Sequence, residues 1–351
     1  MVVMNRFLTL ATFYLAILSA PMAMGDDGDP NPLFSSDEII DVRIVAPFDV
    51  ITEDRPIEEY VPGQFFFTAD DGELVELDVG IRARGHYRRR PDVCPFPPMR
   101  LNFKKSQVKD SLFAGQDKLK LVTHCTSGSY FYEQAILAEF LAYRILNQLT
   151  DISFRVRLLR VEYATPGVDE SVTGYGILIE HDDNVAERIG AAPLVVDNIP
   201  LSGLDPDYLN LVSVFQYLIG NTDFSPIVGS PGGDCCHNHA PFGEEGKLYY
   251  SIPYDFDMSG FVNAPYAMPN PKMRLDSVQE RLYRGRCINN DILPLTLETF
   301  VAKRDDIESV VRDRPELSSR KRSEILKYID QFYRSVAKPR GINRNLVKKC
   351  K

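Results

Sequence analysis

Residues 75–84 read Val-Glu-Leu-Asp-Val-Gly-Ile-Arg-Ala-Arg, and this stretch decides the class of fold that the sequence predicts. Apolar side chains alternate with polar or small ones along it, which is the period of a strand with one buried face. The alternation recurs over 99–103 and, less cleanly, over 118–122. Three such segments, separated by turn residues, predict an antiparallel sheet in the first half of the chain.

The regions on either side of this sheet predict more strands and then mainly helices. A helix is expected over 129–149, because its apolar residues recur at helical spacing. The other expected strands cover 39–46, 64–68, 154–163, 175–180 and 247–254. The other expected helices cover 209–220, a segment before Asp313, and 318–337. Strands with one helix, followed by mainly helices, indicate an α+β arrangement.

Composition excludes several classes of protein. The chain has 351 residues, of which 44% are hydrophobic and 25% charged, and its net charge is −9. Ordinary apolar content excludes a disordered or collagen-like chain, and the negative charge argues against a nucleic-acid partner. The charge is unevenly spread, since residues 26–78 are strongly acidic whereas residues 82–105 hold eight bases and one acid. The basic stretch is compact enough to bind anions.

The first 25 residues have the features of a secretory signal peptide. Arg6 precedes an apolar run over 7–20, and small residues lead up to Gly25. The run is shorter than the roughly 20 residues that a membrane-spanning helix needs. We therefore expect cleavage after Gly25, no integral membrane span afterwards, and a secreted, periplasmic or extracellular location. An uncleaved N-terminal anchor is the alternative.

Six cysteines in an exported chain predict disulfides rather than free thiols. Cys94 and Cys125 are a plausible pair because both flank the same expected strands. Adjacent Cys235 and Cys236 are expected to bond to distant partners rather than to each other. A zinc site is the alternative, and its candidate ligands are Cys235, Cys236, His237, His239 and Cys287.

Four polar residues in the second half form a candidate reactive site. Asp223 follows a buried helix, Asn238 lies in a loop, and Asp255 and Asp257 end a strand. Mg²⁺ prefers hard oxygen ligands, so Asn238, Asp255 and Asp257 are candidate metal ligands. Asp223 is then left as a base or as the group that orients an acceptor. Phosphoryl transfer needs this division of roles.

Short motifs in a shared order resemble those of the spore coat protein H (CotH) family of atypical, secreted, kinase-like proteins. The resemblance covers about residues 75–260. The motifs are Arg82-Ala83-Arg84-Gly85, Met99-Arg100-Leu101-Asn102-Phe103, Gly176-Ile177-Leu178-Ile179-Glu180-His181-Asp182, Gly220-Asn221-Thr222-Asp223 and Tyr254-Asp255-Phe256-Asp257.

This resemblance implies a two-lobed protein-kinase-like fold, with a strand-rich N-lobe and a mainly helical C-lobe, that binds ATP and Mg²⁺. By position, Asp223 matches the catalytic Asp, and Asn238 and Asp255 match the metal ligands. The expected division is a signal peptide (1–25), an acidic entry segment with short strands (26–74), an N-lobe (75–180) and a C-lobe with C-terminal helices (181–351).

The chain departs from the kinase pattern in its phosphate-binding residues. It has no Gly-x-Gly-x-x-Gly loop, so phosphate binding is expected from the side chains of Arg84, Arg100 or Lys120. Asn102 stands where the family's second strand often carries Lys. The nucleotide is expected near Glu180, between the lobes.

Two further expectations concern charged side chains near this site. Either Glu133 or Glu139 is expected to pair with a phosphate-binding base. The run Arg88-Arg89-Arg90 is expected to be a solvated loop face.

The expected function is Mg²⁺- and ATP-dependent phosphoryl transfer to hydroxyl side chains of proteins in the envelope or outside the cell. One alternative is a catalytically silent pseudokinase or scaffold of the cell envelope. The other is a kinase-fold nucleotidyl transferase.

Overall fold

The computed structural model describes residues 31–230, 232–244 and 246–351. The expected signal peptide, 1–25, lies outside these residues. Within the described ranges, none of the helices combines the length and apolar character needed to cross a membrane.

Seven strands of the described chain form one closed barrel. Around the barrel their order is β1-β2-β3-β4-β5-β7-β6, and β6 returns to β1. The pairing of β1 with β6 is parallel, whereas all the other neighbouring pairs are antiparallel. The strands are β1 (Ile40–Val45), β2 (Val61–Thr68), β3 (Leu74–Ala83), β4 (Met99–Phe103), β5 (Lys118–Val122), β6 (Val156–Ala164) and β7 (Ser171–Ile179).

The barrel closes around an apolar interior that includes several packed phenylalanine rings. Phe65 packs edge-to-face on both Phe103 and Phe113, with ring centroids 5.4 and 5.1 Å apart. Alternate residues of β3, including Val79 and Ile81, point inward and are buried. Burying each such side chain contributes roughly 1.5–3 kcal/mol. Because successive residues of a strand face opposite ways, Arg82 and its cross-strand neighbours are turned to the outside of the barrel.

The helices and a small sheet pack beside the barrel. The helices are α1 (Phe48–Glu53), α2 (Lys105–Val108), α3 (Tyr130–Leu149), α4 (Asp182–Ile189), α5 (Pro206–Ile219), α6 (Leu293–Ala302), α7 (Arg304–Arg312), α8 (Ser319–Val336) and α9 (Pro339–Asn345). The small sheet has the order β10-β9-β8, with β8 (Ala192–Pro193), β9 (His239–Gly243) and β10 (Tyr250–Pro253). Helix α3 is buried along most of its length and contacts β6, β7 and α7.

Helix α5 has clear signals at both ends. The Asp205 side chain accepts a hydrogen bond from the backbone N–H of Tyr208, and Pro206 occupies the first turn. Gly220 ends the helix with φ of +65°, a conformation that glycine adopts without the steric cost paid by other residues. A side chain here would also meet the hydroxyl of Tyr328. The helix therefore stops sharply at Gly220, and Asp223 follows in the loop directly after it.

The two-lobed protein-kinase-like fold, with its strand-rich N-lobe and mainly helical C-lobe, is wrong for this chain. The strands assigned to the N-lobe instead form one closed, mixed barrel together with β1 and β2, which were assigned to the acidic entry segment. Alternation correctly located the strands and the antiparallel run β3-β4-β5. It could not reveal the parallel pairing of β1 with β6, because alternation specifies the buried face of a strand and not its neighbours.

The six cysteines form three disulfides. Cys94–Cys125 is confirmed, and Cys287–Cys350 joins the start and end of the C-terminal helical region. The expectation for the adjacent pair is wrong, since Cys235 bonds to Cys236. Because every cysteine is in a disulfide, none supplies a thiolate for zinc. Across the described ranges, no cluster of three or more His, Cys, Asp or Glu side chains is arranged to hold a metal ion.

Candidate functional site

Three cations lie side by side on the outer face of the barrel. Arg82 on β3 is directly opposite Arg100 on β4, and Arg100 is directly opposite Lys120 on β5. We call these three residues the basic row. Like charges at directly opposite positions repel and destabilise a sheet. The row therefore favours an anionic ligand.

A cavity of about 310 Å³ opens over the basic row, and its lining adds Arg84, Arg89 and Glu58. Lys120 has one anionic partner, Asp182, at 2.9 Å. Burial lowers the pKa of Lys120, an effect that Asp182 opposes and that the charges of Arg84 and Arg100 reinforce. The cavity thus has more positive than negative charge.

A second cluster, which we call the buried ionic cluster, surrounds Arg88. This residue lies in the loop from β3 to β4, and its guanidinium group contacts Glu139 of α3 at 3.0 Å and Asp257 at 3.2 Å. It also contacts Asp255. Arg88, Glu139 and Asp257 are only 7%, 1% and 4% exposed. The solvated position expected for Arg88 is wrong, because the fold turns this side chain inward toward the carboxylates.

The buried ionic cluster has three carboxylates around one guanidinium group, so negative charge is in excess. Burial raises the pKa of Asp257 to about 8, although Arg88 acts in the opposite direction. Burial also raises the pKa of Glu139. Burying uncompensated charge is costly, so the cluster favours either bound protons or a further cation. Asp255, whose side chain is 34% exposed, is the member that an added cation can reach.

Asp223 is held by two neighbours from the loop before β9. His237 Nε2 lies 3.0 Å from Asp223 Oδ1. Asn238 Nδ2 donates to the backbone oxygen of Asp223 at 2.7 Å and to its Oδ2 at 3.1 Å. The hydrogen bond to Asp223 raises the pKa of His237, and the charge of Asp255 adds to this shift. The carboxylate of Asp223 is thereby oriented through both oxygens.

Asp255 belongs to the buried ionic cluster, and its charge also affects residues of the cavity and of the Asp223 site. Burial lowers the pKa of Arg84, and the charge of Asp255 acts in the opposite direction. The charge of Asp255 therefore acts on Arg84, which lines the cavity, and on His237, which contacts Asp223. The backbone holds this residue and Asn238 in the left-handed region, with φ of +62° and +52°. Such conformations are uncommon outside glycine and often occur at functional sites.

The donor set is compatible with Mg²⁺. Asn238 uses its Nδ2 for Asp223, which leaves the amide oxygen for another partner. Asp255 contacts Arg88 through Oδ1 and remains partly exposed. An amide and a carboxylate oxygen are ligands that Mg²⁺ accepts, with substrate phosphates completing its coordination. Asp257 is more buried than Asp255, and its carboxylate pairs with Arg88.

Most of the candidate residues from the sequence fall into these groups. Arg84, Arg100 and Lys120 line one cavity, and Asn238 contacts Asp223. Glu180 is placed differently, because its buried carboxylate is bound by Arg188 at 2.7 Å and by the backbone N–H of Arg155 at 2.9 Å.

Sequence reasoning missed two residues of the site. It placed Arg88 in solvent, and it considered His237 only as a zinc ligand. The spacing of Asp223 and His237 contains no signal for their contact, because the loop between them determines the distance. Of the two glutamates proposed to pair with a base, Glu139 pairs with Arg88.

No protein-family model matches this chain, and no curated protein matches it in sequence.

Proposed function

We propose that the chain catalyses Mg²⁺- and ATP-dependent transfer of a phosphoryl group to hydroxyl side chains of proteins. One observation carries this proposal: the cavity has excess positive charge, the buried ionic cluster has excess negative charge, and the charge of Asp255 in that cluster acts on both Arg84, which lines the cavity, and His237, which contacts Asp223. A nucleotide phosphate chain with its cation complements both imbalances.

Each part of the site has a role in this reaction. Arg84, Arg100 and Lys120 bind the phosphates by charge-assisted hydrogen bonds, in place of a glycine-rich loop. Asn238 and Asp255 are the residues that would hold Mg²⁺, which offsets charge on the phosphates when bound. Asp223, oriented by His237 and Asn238, aligns the acceptor hydroxyl for attack.

The disulfides are compatible with an oxidising compartment, which supports a location outside the cytoplasm. We propose that the acceptors are proteins of the envelope or the extracellular space. Three disulfides in one chain are uncommon where thiols are kept reduced.

The test measures ATP binding by calorimetry with and without Mg²⁺, followed by incubation with ATP labelled at the γ-phosphate. We expect Mg²⁺-dependent binding and transfer of label to protein. Asp223→Asn should retain nucleotide binding and lower transfer by at least about 100-fold. Absence of ATP binding by the parent protein would overturn the proposal. Label transferred only from the α-phosphate would instead identify nucleotidyl transfer.

One observation favours a second candidate, a non-catalytic anion-binding scaffold. Arg88 already contacts Asp255 and Asp257, and so it competes with a metal ion for their carboxylates. For a scaffold, ATP should bind equally well with and without Mg²⁺, and no label should be transferred. The same calorimetric and labelling experiments therefore separate the two candidates.

A further inference from the structure

Ser230 is an exposed residue of the loop that precedes His237, and its hydroxyl reaches the candidate site from within the chain. Ser230 Oγ lies 3.4 Å from His237 Nδ1. The other ring nitrogen of His237, Nε2, lies 3.0 Å from Asp223 Oδ1. Hydroxyl, imidazole and carboxylate thus form one connected series.

The loop is tied at its base, so the position of Ser230 follows from the fold. The backbone N–H of Ser225 donates to the carbonyl of His237 at 2.9 Å, and the N–H of His237 donates back at 3.2 Å. The backbone N–H of Cys235 donates to the carbonyl of Val196 at 2.8 Å. These contacts hold His237 against Asp223 while Ser230 remains at the exposed tip.

The hydrogen-bond capacity of Asp223 points to the same arrangement. His237 occupies Oδ1, and Asn238 occupies Oδ2. His237 therefore links the two groups, with Nε2 on the Asp223 carboxylate and Nδ1 facing the Ser230 hydroxyl. The Ser230 hydroxyl is thus positioned one side chain away from the carboxylate that, in the proposed function, aligns an acceptor hydroxyl.

We propose that Ser230 is an intramolecular acceptor, so that the protein phosphorylates its own Ser230; this inference rests on the proposed phosphoryl transfer. In the step, a bond forms between Ser230 Oγ and the γ-phosphorus of ATP. The bond from that phosphorus to the oxygen bridging to the β-phosphate breaks, and ADP leaves with the electron pair. The hydroxyl proton passes to solvent water, to which the exposed Ser230 side chain is open. The product has a phosphoserine at the mouth of the site, where an external acceptor would otherwise enter.

The experiment incubates the purified protein with Mg²⁺ and γ-labelled ATP and locates phosphate by peptide mass spectrometry. We expect phosphate on Ser230, loss of at least about nine tenths of the early label in Ser230→Ala, and retention of label at this position in Ser230→Thr. Ser202→Ala is the matched control, since Ser202 is also exposed but lies on another loop. It should label as the parent does.

Two further measurements test the mechanism. The labelling rate per molecule should not change over a 100-fold dilution, because the acceptor is in the same chain. His237→Ala should slow labelling of Ser230 by at least about tenfold while ATP binding is retained, because the contact that positions Ser230 beside Asp223 is lost.

The outcomes separate this inference from the proposed function. Label on other residues with Ser230 unmodified would overturn the inference and leave the proposed function standing. A labelling rate that rises in proportion to protein concentration would also overturn it. Absence of transferred label from a protein that binds ATP would overturn both.

Discussion

The basic row and the buried ionic cluster have opposite charge imbalances and opposite environments. Arg82, Arg100 and Lys120 are partly buried on the outer barrel face, where they line an open cavity. Arg88 is almost fully buried with carboxylates in excess around it. The difference shows that a charge imbalance beside an open cavity is tolerated and available for a ligand, whereas a fully buried imbalance must be neutralised within the fold.

The largest expected effect tests the buried side of this comparison. Arg88→Met leaves Glu139 and Asp257 without their cation, so we expect the free energy of unfolding to fall by about 3–5 kcal/mol. Urea unfolding at neutral pH measures it.

The matched control is Arg90→Met, because Arg90 belongs to the same loop but pairs with exposed Asp92 at the surface. Its effect should stay below about 0.5 kcal/mol. A loss below about 1 kcal/mol for Arg88→Met would show that the cluster is neutralised by bound protons rather than by Arg88.

The next effect tests whether burying a positive charge lowers the free energy of unfolding, as burying a negative charge does. Burial lowers the pKa of His124 from 6.5 to about 4. Between these values the unfolded chain binds a proton that the folded chain does not, so stability falls as pH decreases through this range. The contribution is up to about 3 kcal/mol. Thermal unfolding between pH 4.5 and 7.5 measures the slope.

Substitution His124→Gln should flatten that slope, whereas the exposed control His86→Gln should leave it unchanged. Part of the slope should remain in His124→Gln, because burial also lowers the pKa of His239, to about 3. An unchanged slope in His124→Gln would assign the acid sensitivity to other groups.

The smallest expected effect tests the basic row. Arg100→Met removes the central charge of the basic row, so repulsion decreases and stability should be unchanged or rise by about 0.5 kcal/mol. ATP affinity should fall about tenfold, as measured by calorimetry. Lys118→Met is the control, since Lys118 lies opposite Asn102 on the same sheet face. If Arg100→Met instead lowered the free energy of unfolding and left ATP affinity unchanged, the basic row would stabilise the fold rather than bind phosphates.

Local elements were predictable because their signals are local. The alternation in 75–84 correctly predicted β3, and the helical spacing over 129–149 correctly predicted α3 (Tyr130–Leu149). Barrel closure was not predictable, because β1 and β6 pair across more than a hundred residues of chain. Pairing at this distance depends on the packing of the whole interior, and no short pattern encodes it.

The candidate site divides in the same way. The residue types that suit phosphates and Mg²⁺ were recognisable, because basic, amide and carboxylate side chains have fixed chemistry. The contact of Arg88 with Glu139 and Asp257 was not recognisable, since a run of three arginines is usually solvated. Burial of one member depends on where the loop from β3 to β4 folds back, which is a tertiary property.

The sequence by itself determined where the seven barrel strands and the helices α3, α5 and α8 lie, where the basic stretch lies, and that Cys94 and Cys125 are plausible partners. These properties follow from side-chain period and chemistry, which operate over a few residues. Tertiary structure alone decided that the strands close into a barrel, that Arg88 is buried, and that Ser230 reaches His237. Each of these depends on contacts between segments that are distant in the chain. Many residues contribute to the packing free energy of such contacts, so no short stretch of sequence specifies them.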